Sequence, residues 1–130
     1  MATRGTIALE YADGTVQQIY VHWDSYLAGV GQELVDGYSD PFKLDELIAQ
    51  GDTSTIGEPY TQRGEELNIR YYTSFDDYVN TCQSEEYDYI LRQVDGQAVW
   101  FVRCGETKDQ WVPFDQVYAM ETGVSDEDWG

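Results

Sequence analysis

The chain has a single histidine, His22, within the stretch Tyr20-Val21-His22-Trp23-Asp24-Ser25-Tyr26. An imidazole near a carboxylate and a hydroxyl is the raw material of acyl transfer. The ring takes the hydroxyl proton and the carboxylate orients the ring. The spacing works against that use, because along an extended chain His22 and Asp24 share a side while Ser25 points away. Neither a nucleophile elbow nor an oxyanion-hole glycine motif accompanies them. Metal chemistry has equally little to draw on. A zinc site needs several nitrogen or sulfur ligands, there is no D-x-[DN]-x-[DN]-G loop, and Cys82 and Cys104 do not form a C-x-x-C pair. The stretch reads instead as the end of a strand. Asp24 or Ser25 is expected to cap the helix that follows, with Trp23 and Tyr26 stapling it to the sheet. No enzymatic activity, catalytic residue, cofactor or metal is expected, and both cysteines are read as reduced core thiols.

The stronger chemical signal is charge. There are 25 acidic and 7 basic residues, for a net charge of −18. Solubility alone is served by a charge magnitude of roughly 2–8 in a small domain, and self-repulsion destabilises the compact state. Such a surface repels nucleic acid and anionic membranes and attracts basic proteins. Most of the acid is spread over elements that should fold. Glu33, Asp36 and Asp40 lie around a first helix, and Asp45 and Glu46 on a second. Glu65 and Glu66 open a strand, and Asp76 and Asp77 open a third helix. Glu85, Glu86, Asp88 and Asp95 line a hairpin, and Asp126, Glu127 and Asp128 are at the C-terminal end. A domain of this length is about 36 Å across, from a radius of gyration near 14 Å. Duplex DNA carries one charge per about 1.7 Å, so about 18 charges match roughly 31 Å of duplex. The chain carries about the charge of the DNA it is long enough to replace.

The elements that position these groups follow from periodicity. Thr6–Tyr11 alternates, Asp13-Gly14 makes a hairpin turn, and Val16–Trp23 returns. Leu27, Val30, Leu34 and Tyr38 recur at helical spacing over 27–38, against the opposition of Gly29, Gly31 and Gly37. Asp40-Pro41 starts a second helix, which carries Leu44, Leu47 and Ile48 and closes at Gly51. Residues 52–64 read as a loop and 66–72 as a strand. Ser74 to Asp77 reads as a capping box before a short helix through Cys82. Tyr87–Val94 and Gln97–Cys104 flank Asp95-Gly96 as a second hairpin, with Glu86, Asp88 and Arg92 expected on its solvated face. Trp111-Val112-Pro113 suits an edge strand, and Phe114–Met120 a final helical turn. The predicted fold is α+β: a mostly antiparallel sheet of about five strands with two or three short helices packed on one face. It is expected to form one domain over 1–124, followed by a frayed acidic tail over 125–130. Aromatics make up 15% of the chain and apolar residues 42%, which supplies a core.

The segment "TIALEYADGTVQQIYVHWDSYLAGVGQEL" resembles the start of small phage and prophage proteins. In these, a strand, an A-D-G-T-V turn and an H-W-D-G-Y segment lead into a helix. The resemblance covers roughly residues 5–52, with a weaker echo at Glu85-Glu86-Tyr87-Asp88-Tyr89 and at 99–102. Ser25 stands where the family pattern has glycine. The resemblance implies a phage-related origin and carries no catalytic residue.

In size and acidity, though not in motif, the chain is similar to anti-CRISPR and anti-restriction proteins. The resulting expectation is a cytoplasmic inhibitor of host defence. It would bind a basic protein that itself binds nucleic acid, by acidic mimicry, without touching nucleic acid or membrane. The expected contact residues are Asp76, Asp77, Glu85, Glu86, Asp88, Asp95 and Tyr72. The alternative is a module gripping a small molecule or peptide with Tyr20, His22, Trp23 and Trp100. Arg63, Arg70, Arg92 and Arg103 are the only cations available to an anionic ligand there.

Overall fold

The computed structural model describes residues 3–23, 25–53, 69–82, 85–104 and 110–116. Strands β1 (Gly5–Glu10) and β2 (Val16–Val21) pair antiparallel from Gly5↔Val21 to Glu10↔Val16. Asp13 fixes their turn by accepting hydrogen bonds from the Thr15 amide and hydroxyl, and Gly14 takes the left-handed φ of 92° that the bend requires. The second hairpin joins β4 (Tyr87–Val94) to β5 (Gln97–Cys104) through Asp95 and Gly96. Both turn residues have positive φ, 52° and 82°, as a two-residue turn matched to strand twist demands.

Between the hairpins, β3 (Arg70–Tyr72) pairs with β2, while the rest of the strand expected over 66–72 lies largely outside the described residues. Strand β6 (Val112–Pro113) pairs with β5 at the far edge, where a missing amide is tolerated. The sheet order is β3-β2-β1-β4-β5-β6. Five strands were expected and six form. Four of the seams are antiparallel, but the central one, β1 against β4, is parallel. A parallel pair needs a long crossover, here the whole stretch from the end of β2 to the start of β4.

That crossover carries the helices. A π-type turn over Leu27–Gly31 is broken at Gly29 (φ −98°, ψ −107°) and runs into α1 (Gln32–Gly37). One regular helix was expected over 27–38, and the glycines decide the difference. A Cβ on Gly31 would lie 2.8 Å from the Tyr89 hydroxyl and 2.9 Å from the Phe114 ring, so glycine lets this turn lie directly on the sheet. Helix α2 (Pro41–Ile48) starts as the sequence requires: the Asp40 side chain accepts from the Phe42 amide at 3.0 Å, and Pro41 fills the first turn. Its Leu44, Leu47 and Ile48 are buried. Helix α3 (Phe75–Thr81) is capped reciprocally. Ser74 accepts from the Asp77 amide, and the Asp77 carboxylate accepts from the Thr73 amide.

The helices do not all lie on one face, so the expected two layers become three. On one face, Ile7, Leu9, Ile19, Tyr89, Leu91 and Val102 pack under the segment 27–48. On the other, Ala8, Val16 and Ile90 meet Tyr72 and Tyr78, with Phe75, Val79, Phe101 and Trp111 around them. Small residues at Thr6 and Ala8 open the second face to aromatic rings. Tyr78 stands edge-on to Tyr72 with centroids 5.3 Å apart, and 5.3 Å from Trp111. The central strands are covered on both sides, and β1 has five of its six residues buried.

Candidate acidic interface

Burying the second face changes what the acidic residues can do. Asp88, expected among solvated contacts, is only 1% exposed. Its carboxylate accepts from the Thr6 hydroxyl at 2.6 Å, the Glu85 amide at 3.1 Å and Arg103 Nη2 at 3.2 Å. Burial pushes its pKa up, while the Thr6, Glu85 and Arg103 contacts pull it back. Arg103 is the residue directly opposite Asp88 across the β4–β5 seam. The guanidinium also reaches the Cys82 sulfur at 3.4 Å and lies over the Trp111 ring at 4.7 Å. Burial raises the Cys82 pKa despite that arginine, which keeps it a thiol rather than a nucleophilic thiolate. Asp88 is therefore part of the interior. Tyr72 is too: it is 9% exposed and donates its hydroxyl to Gln18 Oε1 at 2.7 Å.

The other expected contact residues do not form one patch. Asp76 and Glu86 are exposed near α3, Asp77 is partly buried in its capping role, and Glu85 is partly buried through the backbone bond to Asp88. Asp95 is exposed at the tip of the second hairpin, at the other end of β4 from Glu85 and Glu86.

A second set of exposed carboxylates lies on the opposite layer. Glu33 and Asp36 on α1, Asp40 at the cap, and Asp45 and Glu46 on α2 are all exposed, with Lys43 as the cation among them. Three of these five carboxylates are held in place. Asp36 accepts from Gln32 Nε2 at 3.0 Å, Asp40 from the Phe42 amide, and Asp45 from the Tyr11 hydroxyl at 2.5 Å. Burial and the Asp45 carboxylate together raise the Tyr11 pKa far above its ordinary value, so this donor keeps its proton. The signal was present in the sequence. Leu34, Leu44, Leu47 and Ile48 mark the buried stripe, and the acids occupy the remaining positions of the same helices.

Three of the four candidate arginines are occupied elsewhere. Arg70 grips Asp52 through two bonds, at 2.7 and 3.2 Å, Arg92 grips Glu10 at 3.0 and 3.2 Å, and Arg103 grips Asp88. No cationic pocket for an anionic ligand arises from these three, and Arg63 lies outside the described residues.

The opening histidine is structural in its contacts. Its Nδ1 lies 2.8 Å from the Tyr20 hydroxyl, its amide donates to the Thr53 carbonyl, and Trp23 meets its ring edge-on at 4.8 Å. Ser25 does not cap the following turn. It is fully buried, with its Oγ 3.5 Å from the Val21 carbonyl and its own carbonyl accepting from the Tyr89 hydroxyl at 2.6 Å. Tyr26 occupies the cap position without a side-chain bond, and Asp24 lies outside the described residues. Trp23 and Tyr26, the expected staple, are 42% and 41% exposed. Trp100, assigned to the alternative ligand site, is buried in the first core.

Among the described residues, no three His, Cys, Asp or Glu side chains come together as a metal site, and no helix is long and apolar enough to cross a membrane. Searches against known protein families, curated proteins and solved structures find no match for this chain.

Proposed function

We propose that this protein is a non-enzymatic inhibitor that presents the α1–α2 carboxylates to a basic groove and occupies it in place of nucleic-acid phosphates. The proposed partner is a nucleic-acid-binding enzyme of host defence, a restriction or CRISPR nuclease, met by a phage-derived protein in the host cytoplasm. The observation that carries the reading is the set of exposed carboxylates on the α1–α2 layer. Exposed acids sit on two consecutive helices, three of them fixed by local donors, while arginines are drawn into ion pairs along the sheet. Carboxylates held at set positions form charge-assisted pairs with the arginines that otherwise bind phosphate.

The test is displacement of a fluorescent duplex from a panel of purified restriction and CRISPR nucleases, at low and high salt. The neutralised variant E33Q/D36N/D45N/E46Q changes only exposed positions. Displacement should weaken by about tenfold or more in this variant and fall steeply with salt, as steered charge pairing requires. Displacement that is unchanged in the variant, or insensitive to salt, refutes the assignment, as does failure across the whole panel.

A further inference from the structure

One feature of the α1–α2 layer is not explained by charge alone. Phe42, in the first turn of α2, is 83% exposed. It lines a groove of about 560 Å³ together with Leu9, Glu10, Tyr11, Pro41, Asp45 and Gln93. This lies within the range of roughly 300–1,000 Å³ typical of small-ligand sites. Phe42 and Asp45 are three residues apart on one helix, so they share a face. Asp45 gives one carboxylate oxygen to the Tyr11 hydroxyl. The groove thus offers an aromatic ring beside a carboxylate with a second oxygen to give.

The molecule already shows what such a couple holds. On the other face of the sheet, Arg92 lies flat over the Phe75 ring, 3.6 Å from its centroid, while its Nε and Nη2 grip both oxygens of Glu10. An arginine side chain satisfies both members at once, because its planar guanidinium stacks on the ring and forks to the acid. A lysine ammonium is a point charge and meets only the acid. Phe42 and Asp45 offer the same two kinds of group on one face of α2, both exposed, in a chain whose net charge favours a cationic visitor.

We infer that this groove is the seat for one arginine side chain of the basic partner, with Phe42 stacking on the guanidinium and Asp45 pairing with it. The inference rests on the acidic-mimic reading and identifies the anchor within that surface. It predicts selectivity for arginine over lysine, which a diffuse carboxylate surface lacks.

The experiment is an NMR titration of the isotope-labelled full chain with three short peptides of matched length, carrying arginine, lysine or citrulline, the neutral isostere of arginine. Shifts should be confined to Leu9–Ala12, Phe42–Asp45 and Gln93. They should be absent with citrulline and about tenfold weaker with lysine. The Phe42→Ala variant should fold as the parent, since this side chain is exposed, and bind the arginine peptide about tenfold less tightly. The inference is overturned by equal binding of lysine and arginine, by shifts spread evenly over the acids of α1, α2 and α3, by binding of the citrulline peptide, or by no loss in Phe42→Ala. No nuclease enters this titration, so its outcome is separable from that of the displacement assay. Arginine-selective binding with no nuclease inhibited removes mimicry alone. Inhibition that survives Phe42→Ala removes the arginine seat alone.

Discussion

Asp88 gives the sharpest test of the fold, because the sequence places it in solvent and the structure places it inside. Asp88→Asn preserves the shape but replaces an acceptor oxygen with an amide donor. The site is built of donors: the Thr6 hydroxyl, the Glu85 amide and the Arg103 guanidinium. At least one of them then faces another donor, and the guanidinium loses its countercharge in a setting where its side chain is 11% exposed. Hydrogen bonds to charged groups contribute about 1.5–3 kcal/mol, and removing one partner of a buried ion pair costs about 3–5 kcal/mol. A loss of about 3 kcal/mol is expected for Asn and the upper end for Ala. With a urea m-value of about 1.5 kcal/mol/M, the midpoint should fall by about 2 M. Urea titration followed by tryptophan fluorescence measures this, with Trp111 beneath Arg103 as a local reporter. The pH dependence sharpens it. Burial raises the folded-state pKa of Asp88 above its ordinary 3.8. A group raised in this way contributes stability that is fully present below pH 3.8 and is lost as pH climbs through the folded value. The penalty of Asp88→Asn should therefore be larger in acid than at neutrality. A carboxylate whose contacts with Thr6, Glu85 and Arg103 outweighed its burial would give the opposite slope. An unchanged midpoint refutes the buried placement, and the opposite slope shows that the Thr6, Glu85 and Arg103 contacts outweigh burial.

Two further substitutions probe the packing. The Tyr78 hydroxyl is buried without a hydrogen-bond partner, so Tyr78→Phe should leave stability unchanged or raise it by about 1 kcal/mol in the same urea assay, since an unsatisfied buried hydroxyl is a net cost. A loss above about 1 kcal/mol would show that the hydroxyl has a partner. Gly31→Ala should cost about 1–3 kcal/mol by overpacking, because its Cβ would intrude on Tyr89 and Phe114. An unchanged thermal midpoint would mean that the turn over Leu27–Gly31 does not lie against the sheet.

The parts of this fold legible in the sequence were those set by local chemistry. The Asp13-Gly14 and Asp95-Gly96 turns, the Asp40-Pro41 cap and the Ser74 capping box all form where their residue types demand. The parallel seam between β1 and β4 was not legible, because strand direction there is set by a crossover and leaves no mark on the alternation of either strand. The misplacement of Asp88 has the same root. Alternation put Glu86, Asp88 and Arg92 on one face, and in β4 Asp88 and Arg92 do share a face, with Ile90 between them. Whether that face meets water depends on where α3 packs, and the period of β4 carries no information about α3. A buried aspartate reads as a surface one until Thr6, 82 residues away, is brought beside it. The same ambiguity hid the α1–α2 acids. They were visible as exposed positions, but their preference over the 76–88 cluster appeared only once Tyr72, Asp77, Glu85 and Asp88 were capped, paired or buried, leaving Asp76 and Glu86 as its exposed members.

The three ion pairs explain how so acidic a chain supports a compact core. Arg92 joins Glu10 across the parallel seam, Arg103 joins Asp88 across the β4–β5 seam, and Arg70 joins β3 to Asp52, which also accepts from the Tyr20 amide of β2. Each arginine thus ties two segments together at a partly shielded site, where salt screens a pair less than it does in open solvent. Spent in this way, these cations are not available to the helical surface, where Glu33, Asp36, Asp40, Asp45 and Glu46 repel one another against Lys43 alone among them. That repulsion is a standing cost to the folded state, and a cationic partner docked on the layer relieves it. Because such a partner binds the folded chain, its affinity adds to folding stability by mass action. The same arrangement that strains the free protein would therefore drive the proposed complex, and both effects should weaken together as salt screens the layer.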